Sequence, residues 1–360
     1  MRALKGHAIA FIAPPPQAIT DTGFDPRVYA LSPGNVEFLR TLGVWQDVPA
    51  ERIARVEAMR IFGDDKRAVL EFDAYEAGVR ELAWIVEDSA LQRALWSGLS
   101  GMALHCERLE AGAEHALISF ADGAPLAAKL VVGADGAHSF VRSAAGIAVK
   151  ERGFGQTAVV ANFHCTRAHG NVANQWFQGG PVLALLPLPG EQVSMVWSLP
   201  EGEAQRIAAL SPEALAAEVT DASQGILGAL ATASAARSFA LQRLSARRLI
   251  APRVALVGDA AHVVHPLAGQ GLNLGLQDAR ALAAVIAERE PGRDPGDERL
   301  LRRYERRRAE PILAMDAVIS GLFSLYGTGN TVAGRVRNAG LNLTDRLPVL
   351  KNILIRQAMS

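Results

Sequence analysis

Residues 253–278 join an apolar strand, an acidic turn, a glycine-rich loop and a helical repeat in one uninterrupted run. The stretch 254–257 is typical of a buried parallel strand, and it ends at Gly258 and Asp259. Glycines follow at positions 269 and 271, just before an apolar period that predicts a helix. Because the N–H groups at a helix start attract electron-rich groups, this run predicts a cofactor site, with Asp259 accepting from a sugar-like hydroxyl.

A second stretch argues against the simpler alternative, an ordinary strand–turn–helix crossover. Residues 129–142 again form an apolar strand that ends in Gly-x-Asp-Gly, with the acidic pair at Asp135 and Gly136. Ser139 and Arg142 are spaced to start a helix. Two such loops in one chain favour a nucleotide-type cofactor over a chance crossover.

Together the two loops resemble the Asp-Gly and Gly-Asp fingerprints of group A flavoprotein monooxygenases. Within that group the chain is similar to the aromatic hydroxylases of ubiquinone biosynthesis. Further matching segments lie within residues 25–45, 84–95, 183–198 and 304–323, so the resemblance spans nearly the whole chain from end to end. It implies FAD as the cofactor, with contacts from Arg27, Gln92, Asp135, Gly136, Gly258, Asp259, Pro266, Gly269, Gln270, Gly271, Leu272 and Asn273.

The resemblance also implies the chemistry. NAD(P)H, bound transiently, reduces FAD, and the reduced flavin uses O₂ to hydroxylate a polyprenylated phenol. The flavin supplies the reactivity, so no catalytic side chain is predicted, and the loop from Pro266 to Gly271 positions the ring. Asp259 and Gln92 would contact the ribityl chain. Arg27 would lie near the flavin or the pyrophosphate, although a surface salt bridge is the alternative for Arg27.

The chain departs from the family pattern in one half of the cofactor site. It has no Gly-x-Gly-x-x-Gly loop, and Ala13 stands where the second strand of such domains ends in an acidic residue. A start assigned too late, a short relative of the family and pyrophosphate binding by other groups are all open explanations. The departures favour one alternative function, a flavin-deficient, non-catalytic assembly or lipid-binding component. Another flavin oxidoreductase on the same scaffold, such as a polyprenyl reductase, is a further alternative, but the segments 185–189 and 196–198 favour the hydroxylase over it.

Composition limits the other functions. Of 360 residues, 37 are basic and 37 acidic, which gives non-specific nucleic-acid binding no electrostatic support. Two cysteines argue for a reducing compartment without a disulfide framework. We expect a cytoplasmic protein without a membrane span. The basic, aliphatic segment 335–360 leaves peripheral contact with the inner membrane face open, against a closing helix with a solvated basic side. Partners would be the lipophilic phenol and other ubiquinone-biosynthesis proteins.

The pattern predicts an α/β fold: a Rossmann-like FAD-binding domain, N-terminally incomplete, with an inserted antiparallel β-sheet domain for the substrate and C-terminal helices. The FAD-binding domain would comprise residues 1–57, 84–150 and 245–330, and the substrate domain 58–83 and 151–244, followed by a helical segment 331–360. Expected strands are 7–13, 58–62, 69–73, 117–121, 127–132, 157–165, 173–177, 182–186, 193–199 and 238–244, and expected helices 33–43, 88–99 and 212–220.

Two side-chain sets need an interpretation. His262 and His265 are three residues apart, but no third ligand is signalled nearby, so structural roles are favoured and no metal is predicted.

The predicted sheet would cover the flavin ring, and aromatic or apolar residues on it could line the substrate site, although such residues usually belong to the core. These candidates are Phe163, Trp176, Phe177, Leu185, Pro187 and Trp197.

Overall fold

A computed structural model describes residues 8–14, 16, 23–63, 69–99, 101–265 and 270–326. The chain forms two compact units. Unit 1 consists of Met1–Gln17, Trp96–Phe154 and Gln242–Ile319, and unit 2 of Ala18–Leu95, Gly155–Leu241 and Ser320–Ser360. The predicted division into a cofactor and a substrate domain is a functional one and stays a prediction. The expected helical segment 331–360 lies outside the described residues.

The chain contains both helices and strands, and most strands come in runs between the helices. The helices are α1 (Pro33–Leu42), α2 (Asp88–Trp96), α3 (Phe140–Ala144), α4 (Glu201–Ala208), α5 (Pro212–Ala222), α6 (Gly271–Ala287) and α7 (Glu298–Tyr326). The strands are β1 (Phe11–Ile12), β2 (Val28–Leu31), β3 (Ile53–Val56), β4 (Ala58–Phe62), β5 (Val69–Asp73), β6 (Ala83–Glu87), β7 (Gly101–Met102), β8 (Cys106–Ala111), β9 (Ala116–Phe120), β10 (Leu126–Ala128), β11 (Val131–Gly133), β12 (Val149–Cys165), β13 (Val172–Phe177), β14 (Val182–Leu188), β15 (Gln192–Pro200), β16 (Leu230–Thr232), β17 (Arg237–Ala246), β18 (Ile250–Ala251), β19 (Val254–Leu256) and β20 (His262–Val263).

Unit 1 carries the parallel strands. β11 pairs in parallel with β19, β18 joins β19 in antiparallel fashion, and β1 pairs in parallel with β7. Strands β8, β9 and β10 form an antiparallel sheet beside them. The core of the unit packs β19 against α6 and α7, with Leu256, Leu282 and Leu300 buried together. The Tyr304 hydroxyl of α7 donates to the Leu256 carbonyl at 2.7 Å, so α7 is fastened to the strand that precedes the Gly-Asp turn.

Unit 2 is built on one large sheet. Its strand order is β17-β12-β15-β14-β13-β4-β5, with β16 also pairing with β12. One face packs against α4 and α5, through Ile207, Leu215 and Val219. Toward the other face, Ala173 and Leu188 pack with residues of a smaller antiparallel sheet of order β2-β6-β3. The unit therefore has a helix-covered face and a face partly covered by strands.

The predicted α/β class is confirmed, and the hairpin 58–62/69–73 has the expected ends. Some elements differ from the prediction. The strand expected over 7–13 is limited to Phe11–Ile12 among the described residues, where it pairs with the two residues of β7. The strand expected over 127–132 divides between β10 and β11, which belong to different sheets. The helix expected over 88–99 ends at Trp96, and α4 was not predicted.

Candidate functional site

The Gly-Asp turn and α6 are in direct backbone contact. After β19 the chain makes a 3₁₀ turn over Gly258–Ala260, in which Gly258 has φ +59°. A Cβ added at Gly275 of α6 would lie 3.2 Å from the Gly258 Cα. Glycine at 258 therefore meets two needs: a left-handed backbone and room for the helix. The arrangement leaves Asp259 exposed at the tip of the turn.

Among the described residues, the N-terminus of α6 carries no side-chain cap. Gln270 occupies the N-cap position without a capping hydrogen bond, and the first turn contains no acidic residue. Gln270, Gly271 and Leu272 are partly exposed, whereas Asn273 is buried. The positive end of a 17-residue helix favours an anionic or electron-rich group. Pro266 and Gly269 lie outside the described residues.

Asp278 lies beneath this turn and was not among the predicted site residues. Its side chain is fully buried and accepts three hydrogen bonds. One carboxylate oxygen accepts from the Gly258 N–H at 3.0 Å and from His262 Nε2 at 2.6 Å, and the other from Arg308 Nε at 2.5 Å. One signal could have revealed it, because Asp278 lies on the apolar stripe of α6, between Leu274 and Leu282.

The Asp135 loop is organised around α3. The Asp135 carboxylate accepts from the Ser139 hydroxyl at 2.5 Å and from the Val141 N–H at 3.1 Å, and the Ser139 hydroxyl accepts from the Arg142 N–H. Gly136, at φ +80°, turns the chain between them. Asp135 and Ser139 therefore serve as the caps of this short helix, and Asp135 remains exposed.

Arg142 connects the two loops. Its guanidinium is buried and donates to the Ala260 carbonyl at 2.9 Å and to the Ala137 carbonyl at 2.8 Å. The Asp-Gly loop and the Gly-Asp turn are thus joined by one side chain across 118 sequence positions. The structure brings these two predicted motifs together.

Arg27 and Gln92 belong to unit 2, where both meet Asp88. Arg27 lies 3.7 Å from one Asp88 carboxylate oxygen, and Gln92 Nε2 donates to the other at 2.7 Å. The Arg27 guanidinium also lies 5.6 Å from the Tyr29 ring centroid and 5.8 Å from that of Phe239. The salt bridge left open for Arg27 is therefore present, on a side chain that is half exposed.

Both histidines of the 262–265 pair are buried. Because a carboxylate only accepts, the contact with Asp278 places the proton of His262 on Nε2. His265 packs edge-on against the Phe154 ring, with centroids 4.6 Å apart, and burial lowers its pKa to about 4. Within the described part of the chain, no three His, Cys, Asp or Glu side chains are grouped to hold a metal ion.

The expected substrate-lining residues need correction. Phe163, Trp176, Leu185 and Trp197 point to the face of the large sheet that packs on α4 and α5, where they are almost fully buried in the core. Pro187 shares this face, since it lies opposite Val193 in the register. Their alternative interpretation as core is correct, and only Phe177 points to the other face.

Comparisons with known proteins identify the cofactor class. A family model described as an FAD binding domain matches residues 18–316. The chain belongs to this FAD-binding family. It is 31% identical to ubiquinone hydroxylase UbiL of Rhodospirillum rubrum, over 99% of this chain and 85% of that protein. It is 32% identical to 3-demethoxyubiquinol 3-hydroxylase of Escherichia coli, over 99% of this chain and 93% of that protein.

Solved structures support the same fold. HpxO of Klebsiella pneumoniae, complexed with FAD and uric acid, superposes with a TM-score of 0.73 at 19% identity, over 94% of this chain and 89% of that chain. The p-nitrophenol 4-monooxygenase PnpA of Pseudomonas putida gives a TM-score of 0.73 at 15% identity, over 95% and 90%. The predicted family and fold are confirmed, and the chain is an FAD-dependent monooxygenase. Neither alternative function is favoured by its relatives.

The residues of unit 1 fit the flavin end of FAD. The glycine contact between positions 258 and 275 keeps side chains away from the turn, and the uncapped α6 terminus offers backbone N–H groups. The adenosine end differs, because Ala13 follows β1 and provides no carboxylate for a ribose. Here the chain departs from the dinucleotide-binding pattern at a described residue.

Proposed function

We propose that this protein is a hydroxylase of a polyprenylated phenol in ubiquinone biosynthesis, using FAD, NAD(P)H and O₂. The names of its two relatives at 31% and 32% identity support the substrate class. One observation from the structure supports the assignment of the site: the turn that exposes Asp259 packs directly against α6 through the close approach of Gly258 and Gly275. A sugar-like hydroxyl chain and an electron-rich ring edge are the groups that such a pair would hold.

Each part of unit 1 has a separate role in this proposal. When bound, FAD supplies the oxidation chemistry, and the protein binds and orients it. Asp259 accepts from ribityl hydroxyls. The α6 N–H groups, from Gly271 to Asn273, stabilise negative charge on the pyrimidine edge by roughly 0.3–2 kcal/mol. Asp135 and Gly136 act through the shape of their loop, since the Asp135 carboxylate is bonded to α3.

Arg27 and Gln92 already have a protein partner. Both are held by Asp88, so a direct contact with FAD requires that each exchange or share this partner. We propose that Asp88 positions the two side chains. Arg27 would then contribute positive charge and Gln92 a hydrogen-bond donor.

The proposed substrate site follows from which face of the large sheet is covered by helices. Because α4 and α5 cover one face, an aromatic ring that lies on the large sheet must use the other face. That face presents Val160, Val196 and Gln175 in one row, and Ser198 and Phe177 in the next. Small aliphatic groups beside an amide and a hydroxyl suit a phenolic ring with oxygen substituents.

Contact with a membrane is the remaining part of the proposal. No described helix combines the length and the apolar character needed to cross a bilayer. A polyprenylated substrate resides in lipid, and the basic, aliphatic segment 335–360 has the composition of a surface anchor. Deleting 335–360 should abolish co-sedimentation with anionic liposomes, and unchanged sedimentation would contradict this role.

The visible absorption spectrum of the purified chain tests the function most directly. After incubation with FAD and gel filtration, a retained flavin band is expected, together with NAD(P)H oxidation stimulated by a phenol. Asp259→Ala should lose the bound flavin while the far-ultraviolet circular dichroism stays that of the parent. A parent chain that remains colourless would refute the proposal.

A further inference from the structure

We infer that Asp278 and Arg142 are positioning residues, which hold the Asp259 turn in the shape that binds FAD. This inference rests on the proposed role of Asp259. Neither side chain is needed to touch the cofactor. Each acts on the backbone of the turn, one from α6 and the other from α3.

The two side chains bond the backbone on either side of Asp259. The N–H of the preceding residue, Gly258, donates to Asp278, and the carbonyl of the following residue, Ala260, accepts from Arg142. A 3₁₀ turn of three residues has little internal hydrogen bonding, and the N-cap residue Val257 gives it no side-chain cap. External bonds at both ends therefore hold the backbone of the turn that carries Asp259.

The Asp278 carboxylate is itself prevented from rotating. Arg308 of α7 bonds one oxygen, while His262 shares the other with the Gly258 N–H. Arg308 additionally donates to the Leu274 carbonyl at 3.4 Å, which ties α7 to the first turns of α6. Three donors on one fully buried carboxylate fix its orientation, and with it the position of Gly258.

The burial of the charged side chains of Asp278 and Arg142 is difficult to explain by their contribution to folding stability alone. Asp278 is fully buried and Arg142 is 5% exposed. Ion pairs taken out of water often contribute no more than apolar residues of similar volume would. Among the described residues Arg142 has no carboxylate partner, and it donates only to two carbonyls, those of Ala260 and Ala137. Rigid placement of a binding group is a function that justifies such costly contacts.

A double-mutant cycle on FAD affinity separates positioning from general stabilisation. The dissociation constant of FAD would be measured by quenching of its fluorescence, for the parent, Asp259→Ala, Asp278→Asn and the double variant. We expect Asp278→Asn to weaken binding about 10- to 100-fold, as for residues that orient metal ligands. The double variant should bind no more weakly than Asp259→Ala alone, because Asp278 acts through Asp259.

Matched controls come from the same unit. Asp294→Asn removes the negative charge from another carboxylate–arginine contact, that of Asp294 with Arg253 at 2.8 Å, and should leave the dissociation constant within about twofold of the parent. Arg142→Lys keeps the charge but cannot bond both carbonyls in the same way. It should show the same coupling to Asp259→Ala, and it provides a second test if Asp278→Asn does not fold.

The outcomes distinguish this inference from the proposed function. If the parent binds FAD but Asp278→Asn and Arg142→Lys bind it equally well, the inference is wrong and the function stands. Losses that add in full to the loss of Asp259→Ala also overturn it, since they show an independent effect. A parent chain that takes up no FAD refutes the proposed function, and the positioning role with it.

Discussion

His265 predicts a specific pH dependence of stability. The imidazole is 1% exposed and packs edge-on against Phe154, and burial lowers its pKa from the usual 6.5 to about 4. In the unfolded chain the same group titrates near its usual value. Between these two pKa values the unfolded state therefore binds a proton that the folded state does not, and stability falls as the pH falls.

The magnitude follows from the two pKa values. At about pH 7.5 both states are neutral at His265, and its contribution to the pH dependence vanishes. On going to about pH 5, the unfolded state gains roughly 2 kcal/mol relative to the folded state, and in the acid limit about 3.4 kcal/mol. The loss is complete once the pH has fallen through the folded-state pKa of about 4.

Urea unfolding at the two pH values, for the parent and for His265→Gln, isolates this contribution. The difference in unfolding free energy between the two proteins should change by roughly 2 kcal/mol, because only the parent loses the histidine contribution. His164→Gln, at an exposed position, is the matched control and should leave the pH dependence unchanged. A His265 that titrates near pH 6.5 by NMR, or a pH dependence preserved in His265→Gln, would refute the reasoning.

Two further predictions concern close contacts in unit 1. A Cβ at Gly296 would lie 2.0 Å from the Lys129 carbonyl oxygen, so Gly296→Ala should lower the melting temperature strongly. The control is Gly202→Ala in the first turn of α4, where an added Cβ meets no atom within 4 Å. This substitution should be neutral or should stabilise the protein by up to about 1 kcal/mol. The nearly buried guanidinium of Arg253 makes four hydrogen bonds, two of them to one carbonyl. Arg253→Met should therefore lower the free energy of unfolding, measured with urea, by about 3–5 kcal/mol. A decrease below about 1 kcal/mol would contradict this prediction.

Local signals explain the elements that the sequence predicted well. Helix α1 starts after Ser32, whose hydroxyl accepts from the Asn35 N–H, and it ends at Gly43 with φ +78°. Both signals are readable in the sequence, and the observed helix matches the expected one within a residue. The β4–β5 pairing is equally local, since the two short apolar runs that form it lie close together in the sequence.

Elements without a local signal were missed. Helix α4 follows β15 directly, with Pro200 at its N-cap position and no side-chain cap, so nothing in the sequence marks its start. The alternation of strand residues defines two faces of a sheet but not which face is covered. The sequence therefore cannot assign Trp176 and Trp197 to the ligand side or to the core, and in the structure α4 and α5 cover both. The position of a neighbouring helix decided the role of each aromatic residue.

In the cofactor loops, too, the sequence does not show which side chain contacts which backbone group. The sequence identifies Asp135 and Asp259 because each ends a strand, but the contact that unites their loops is made by Arg142, whose guanidinium reaches the Ala260 carbonyl. Asp135 acts on that contact indirectly, since it and Ser139 cap the helix that carries Arg142. A substitution at Asp135 would therefore disturb the Asp259 turn without any contact between the two carboxylates. Weaker FAD binding after such a substitution would not by itself show that Asp135 contacts the ligand.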